Sequence, residues 1–255
     1  MLLRSLTQSV LKHDWLSSTV EFVLLVLGIF LGFQFDRWND ERLQQEEADE
    51  YSIQLLDDMT IELRDLDSQM AYFEMVRAFG SKALTAWDEQ PKASAQELIV
   101  AFYQASNILP SSSVRGSYDA LSSKGLMGLV GGPEFGSQTS AYYSQDLDAL
   151  FASVPYRMEV RGALPNTVQQ AIRGNCSRLV GAGLLVEELT EKCDIALSAQ
   201  SAQEILGALI NHPKLRFYLR QSISKDSVGI YVVDTQRESL GLLRDQLIRI
   251  QKGLN

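Results

Sequence analysis

Apolar and polar positions follow three rhythms along the chain. The first is an unbroken apolar run. From Val20 to Phe33 every residue except Glu21 is apolar or Gly, and the weakly polar flanks Leu16–Thr19 and Gln34–Phe35 lengthen the stretch to about 20 residues, enough to cross a hydrocarbon core of about 30 Å. The second is helical. After a polar interval, Leu56, Met59, Leu63, Leu66, Met70 and Phe73 recur at 3-4 spacing, a seam for helix packing. Near the C-terminus Val233, Leu240, Leu243, Leu247, Ile250 and Leu254 form a matching face, and the two faces are expected to pack against each other. The third is a set of shorter helical patterns. Ser94-Ala95-Gln96-Glu97 and Ser201-Ala202-Gln203-Glu204 read as capping boxes. Ser111–Ser113 can open a helix running to about Val130, and further helices are expected near 136–153, 156–173, 177–197 and 212–223. Gly131-Gly132-Pro133 is a breaker. Val228–Val233 is the one β-like stretch.

The pattern therefore predicts an all-α protein. Residues 1–15 precede the membrane and can lie on its surface as a short helix, or form a frayed tail. Residues 16–36 form one transmembrane helix. It continues without Pro or Gly up to Gly80 as a stalk helix, and residues 37–255 form a helical bundle outside the cytoplasm. Trp15 and Trp38 bracket the span, about 34 Å apart on a helix, as interface anchors. The run is read as an uncleaved anchor, because Gly32-Phe33-Gln34-Phe35-Asp36 offers no small-residue cleavage site.

Charge adds an orientation. The chain carries a net charge of −9, and Asp36–Asp67 alone holds 12 acidic residues against 3 Arg, so the whole imbalance sits just past the apolar run. An acidic block beside an anionic cytoplasmic leaflet is unfavourable, which favours the N-terminus inside and the body outside. Lys/Arg counting is nearly a tie, with Arg4 and Lys12 before the run and Arg37 and Arg42 after it. The same acidity argues against nucleic-acid binding. Cys176 and Cys193, 17 residues apart, suit this placement, since an oxidising compartment can join them. The alternative is two buried thiols.

Projected at 100° per residue, Ser17, Glu21, Leu25, Gly28 and Gly32 fall on one narrow face of the membrane helix. Gly28 and Gly32 let a second backbone approach closely. An ionised carboxylate facing lipid is costly, so Glu21 is expected to face protein or water, the alternative being a side chain that snorkels to the headgroups.

The segment VEFVLLVLGIFLGFQFDRWND, Val20–Asp40, resembles that of a family of small bacterial single-pass membrane proteins of unknown function. Glu21, Gly28, Gln34, Trp38, Asn39 and Asp40 match the family's shared pattern, while Gly32 replaces the usual Ala. Tyr118–Val130 is similar more loosely, with Lys124 in place of a Ser. The resemblance implies one anchor followed by a helical domain in a bacterial membrane, and with the charge-based orientation the expected location is the inner membrane, with a periplasmic body. It transfers no activity.

Chemistry is sparse. His13 and His212 lack ligand-spaced neighbours, and Gly125-x-x-Gly128-x-x-Gly131-Gly132 follows a helix and reads as a turn. Asp57-Asp58 and Glu187-Glu188 diverge on a helix and read as solvated faces, and Tyr142-Tyr143 and Tyr156 read as core aromatics that can also line a pocket. No cofactor is implied. The expected function is non-catalytic: a scaffold or interaction protein that assembles through its membrane helix with itself or with a second membrane protein. A cation-attracting homo-oligomeric pore and an extracytoplasmic ligand sensor are the alternatives.

Overall fold

The computed structural model describes residues 15–108, 113–145, 155–180, 186–190 and 193–253. The surface helix expected before Trp15, the helix start at Ser111 and Ser112 and the end of the 136–153 segment lie outside these residues. Among the described residues the chain is helical but for one short hairpin.

With no Gly or Pro to interrupt the backbone between the apolar run and Gly80, one helix persists. Helix α1 spans Trp15–Leu84, 70 residues and about 105 Å. A 3-10 turn, Thr85–Trp87, ends it. Then come α2 (Ala95–Gln104), α3 (Gly116–Ser123), α4 (Met127–Tyr143), α5 (Pro155–Ala163), α6 (Asn166–Asn175), β1 (Ser177–Val180), β2 (Val186–Leu189), α7 (Ala199–Ile210) and α8 (Leu215–Gln251).

Helices α1 and α8 run antiparallel along each other. Gly80 lies against Leu219 and Ile223, Asp67 pairs with Arg237 at 2.6 Å, and Gln251 donates to Ser52 at 3.1 Å. The close approach at one end needs Gly80, where a Cβ would meet Ile223 Cγ1 at 2.7 Å. Two apolar cores lie along this pair. Nearer the apolar run, Leu55, Met59, Leu66 and Phe73 meet Leu121, Phe135, Leu240 and Leu247. Farther out, Val76, Phe79 and Ala83 meet α2, α5, α6, α7 and the start of α8 through Phe102, Tyr156, Ile172, Leu209 and Leu215. Every residue from Leu98 to Gln104 is buried, so α2 is the central helix of this outer core.

The expected seam on α1 is shifted by about one residue. Met59, Leu66 and Phe73 are buried, but Leu56, Leu63 and Met70 are half-buried, and Leu55, Glu62 and Gln69 occupy the interior in their place. Two of those three are polar, which hid them from a hydrophobic pattern.

Three further expectations are corrected. The helix expected over 177–197 is the β1–β2 hairpin, in which Arg178 faces Glu188 and its Nε donates to Oε2 at 2.6 Å. Thr190 N–H donates to the Cys176 carbonyl at 2.8 Å and prolongs the ladder. A two-stranded hairpin is marginal alone, and here the Cys176–Cys193 disulfide closes it onto α6 (Cα–Cα 5.3 Å). Helix α7 is capped by Ser198, which accepts from Ser201 N–H, so it starts three residues before the expected box. Val228–Val233 is helical, because its residues serve α8 packing rather than a strand.

The Ser94 capping box forms with both reciprocal bonds. The segment expected to run helically to Val130 is split by Gly125 (φ 70°), where Leu126 N–H reaches back to the Leu121 carbonyl in a left-handed cap. The Gly131-Gly132-Pro133 breaker is a kink inside α4, made by Gly132 at φ 80°.

Candidate functional site

The apolar part of α1 makes no contact with the body. Every residue from Thr19 to Glu46 is exposed, and the most apolar window has a mean hydropathy of 1.8 with none of it buried. Phe22, Leu24, Leu25, Phe33 and Trp38 are each more than 60 % exposed, a load that no water-facing helix carries without a partner or a lipid phase.

Because α1 is continuous, a direction on its apolar part can be followed into the body. With Glu21 at zero, Leu25, Gly28 and Gly32 lie within about 40° of it, and the helical backbone places Ser17 there too. The buried residues Ala48, Ser52, Leu55, Met59, Glu62, Leu66 and Phe73 all fall within about 40° of the opposite direction. Along residues 48–66 the body therefore packs on the side of α1 facing away from the Glu21 stripe, whereas farther out the buried Tyr72, Val76, Phe79 and Ala83 lie within about 100° of the stripe direction. The exposed apolar residues Leu43, Ile53 and Ile61 continue the stripe side outward. A Cβ on Gly28 or Gly32 would meet nothing within 4 Å, so packing within the chain gives no reason for either glycine, in contrast to Gly80. Trp15 sits at the first residue of α1, and Trp38 is exposed one turn past the apolar run.

The sequence reading missed a polar site inside the body. Glu62 of α1 is 4 % exposed. Its Oε1 accepts from the Tyr142 hydroxyl at 2.8 Å and from Ser113 Oγ at 3.0 Å, while Oε2 is buried without a hydrogen-bond partner. Burial pushes the carboxyl up from its ordinary value, against the bonds from Tyr142, Ser113 and the backbone at Val114. Burial likewise raises the Tyr142 and Tyr143 hydroxyls, with the Glu62 charge adding to it. Tyr143 stacks on Tyr118 (centroids 4.5 Å), and the Arg115 guanidinium lies over Tyr118 at 5.6 Å and donates to the Tyr143 carbonyl. Asp58, one turn before Glu62, accepts from Ser117 N–H at 2.9 Å at the start of α3. Asp58 is thus a positioning residue of the fold rather than part of a solvated face. The only signal of this site in the sequence was the Tyr142-Tyr143 pair.

A second, half-buried acid lies beside the outer core. Asp226 of α8 is pushed up to about 7 by burial, with Lys225 and Arg77 pulling the other way. An acid raised in the folded state costs stability as pH climbs from its unfolded value near 4 to about 7. Asp226→Asn is therefore expected to stabilise the protein by about 2 kcal/mol at pH 8, after allowance for solvent screening, and to change little at pH 4. Denaturant midpoints at the two pH values check this.

Among the described residues no group of three His, Cys, Asp or Glu is placed to hold a metal. His212 Nε2 lies 3.4 Å from Glu159, between α7 and α8. A cavity of about 110 Å³ borders Met75, Ala78, Phe79 and Lys82, and an open groove borders Leu63, Asp67, Arg237 and Leu242. No nucleophile with an adjacent base lines either.

Cys176 and Cys193 are joined. Gln104 of the central helix donates to the Cys176 carbonyl at 3.0 Å, so the bridge is tied to the outer core.

No family model, characterised protein or solved structure matches this chain.

Proposed function

We propose that this chain is a single-pass membrane protein of the bacterial inner membrane, with its N-terminus in the cytoplasm and its helical body in the periplasm, and that it acts by association rather than catalysis. The membrane helix assembles through Ser17, Glu21, Leu25, Gly28 and Gly32, with a second copy or with another membrane protein.

The observation that carries this reading is the azimuth of the body. Along residues 48–66 it packs on the side of α1 opposite the stripe, so a second helix can approach Gly28, Gly32 and the start of the stalk without meeting the inner core. Glu21 lies on the same face, where a neighbouring helix shields it from lipid. The acidic residues that follow the span, and a disulfide that persists in an oxidising compartment, support the orientation.

The test is the double variant Gly28→Ile/Gly32→Ile in the full-length protein. The account expects at least a tenfold weaker assembly in lipid nanodiscs, with the fold of the body unchanged by circular dichroism. Because no Cβ clash arises inside the chain at either position, a loss of assembly reports the intermolecular contact. Undiminished assembly contradicts the proposal.

A further inference from the structure

The inner core holds three buried polar atoms that no protein group satisfies. Glu62 Oε2 of α1, and Thr139 Oγ1 and Tyr143 Oη of α4, are each shut off from solvent without a hydrogen-bond partner. Their residues are 4 %, 0 % and 4 % exposed. Among the described residues the one other such side-chain atom is His212 Nδ1, which lies between α7 and α8. Folding strips these oxygens of their hydration, and protein interiors satisfy such groups with a protein partner or with ordered water. Three of them in one core point to a shared partner.

The fold brings the three together. Glu62 is fastened to α4 by the Tyr142 hydroxyl at 2.8 Å, which fixes the level of its carboxyl along that helix. Tyr142 and Ser113 both use Oε1, so Oε2 is the open oxygen. Thr139 and Tyr143 stand one turn apart on α4, within about 40° of each other and past the kink at Gly132. A long side chain on a helix leans towards the helix start. The Tyr143 ring, stacked on Tyr118 with centroids 4.5 Å apart, therefore leans back from its own Cα towards the level of Thr139. The charge of Glu62 raises the Tyr143 hydroxyl as it raises that of Tyr142, so both ring oxygens lie close to the carboxyl.

The donors and acceptors select the ligand. The site offers two hydroxyl hydrogens and one carboxylate oxygen. No group of three His, Cys, Asp or Glu converges there, so the set is too poor in charge for a metal ion. A water molecule has two lone pairs and two hydrogens. The Tyr143 and Thr139 hydroxyls can donate into the lone pairs, while one water hydrogen goes to Glu62 Oε2. About three hydrogen bonds is the usual count for a buried water, and polar walls are the kind that hold one.

We propose that Glu62 Oε2, Thr139 Oγ1 and Tyr143 Oη share one bound water molecule inside the body. The water completes the joint between α1 and the α3–α4 hairpin. Asp58, accepting from Ser117 N–H, and Glu47, paired with Lys124, fasten that hairpin at other levels of α1. It also gives the second oxygen of Glu62 the hydrogen bond that no protein group supplies.

The first test is a double-variant cycle on the full-length protein with Thr139→Val and Tyr143→Phe. Each substitution keeps the shape and removes one hydroxyl that has no protein partner to lose. With a shared water, each is expected to raise the unfolding equilibrium constant about fivefold. The double variant is expected to depart from the product of the two by at least about threefold, because both act through one molecule. Without the water, each substitution removes an unsatisfied buried group and is neutral or stabilising. That result overturns the proposal, as do two costs that simply multiply. The second test is a crystal structure of the full-length chain at a resolution that shows ordered waters. The expected density lies about 2.7–3.0 Å from all three oxygens and is lost in the double variant. A site without density overturns the proposal, and so does a peak that exchanges with Rb⁺ and scatters anomalously, which marks a cation instead.

Discussion

Replacing both Cys176 and Cys193 by serine is expected to lower the stability of the body by about 3 kcal/mol, the loop entropy of a bridge spanning 17 residues. The bridge does more than close a loop. It fixes a two-stranded hairpin that is too small to persist alone to the end of α6, and the Cys176 carbonyl accepts both Gln104 of the central helix and Thr190 N–H of the hairpin. Its loss is therefore expected to reach the outer core, where Trp87 packs edge-on against Phe102 and donates to the Ile210 carbonyl. The readout is the denaturant midpoint of the full-length protein in detergent, followed by fluorescence. Reductant applied to the unmodified protein is expected to reproduce most of the shift. A double serine variant as stable as the parent contradicts the structural role given to the bridge.

The second large effect is expected at Glu62. Tyr142→Phe removes one hydroxyl and creates no cavity. Once pH exceeds its raised folded value Glu62 is ionised, and losing a hydrogen bond to a buried carboxylate then costs about 2 kcal/mol. Below the usual carboxylate range Glu62 is neutral in both folded and unfolded chains, the bond is an ordinary one, and the cost falls to about 1 kcal/mol. Glu62 itself obeys the opposite trend. Its folded value lies above its unfolded one, so the parent loses stability as pH rises through that window. Glu62→Gln keeps the acceptor for Tyr142 and removes the charge, so it is expected to flatten that pH dependence. Urea titrations of the parent and both variants at pH 4 and pH 8 separate the two effects. A Tyr142→Phe cost that does not change with pH contradicts the assignment of Glu62 as the charged acceptor.

Much of the fold was legible because it follows from local chemistry. The absence of Gly and Pro between the apolar run and Gly80 implied that the run and the stalk form one helix, and α1 spans both. The Ser94 box and the packing of the first and last long helices against each other were also readable from pattern alone, though not their antiparallel direction. The apolar run stands clear of the body, as a candidate membrane span would.

The failures share a physical cause. The seam on α1 was misread because Glu62 and Gln69 are buried polar residues, and the partners of Glu62, Tyr142 and Ser113, lie 80 and 51 residues away in sequence. A hydrophobic count cannot see an interior position that is satisfied by hydrogen bonds. The hairpin was read as a helix because its strands are four residues long, and its disulfide and cross-strand ion pair exist only in three dimensions. The Glu62 site was invisible for the first reason.

The central claim is that the Ser17–Glu21–Leu25–Gly28–Gly32 face holds chains together in a membrane. The most direct measurement is the mass of the full-length protein in lipid nanodiscs, with the lipid and scaffold contributions subtracted. The account predicts a discrete assembly larger than one chain. A single chain of 28.5 kDa per disc, under conditions where native membranes yield no co-purifying membrane protein, would contradict it.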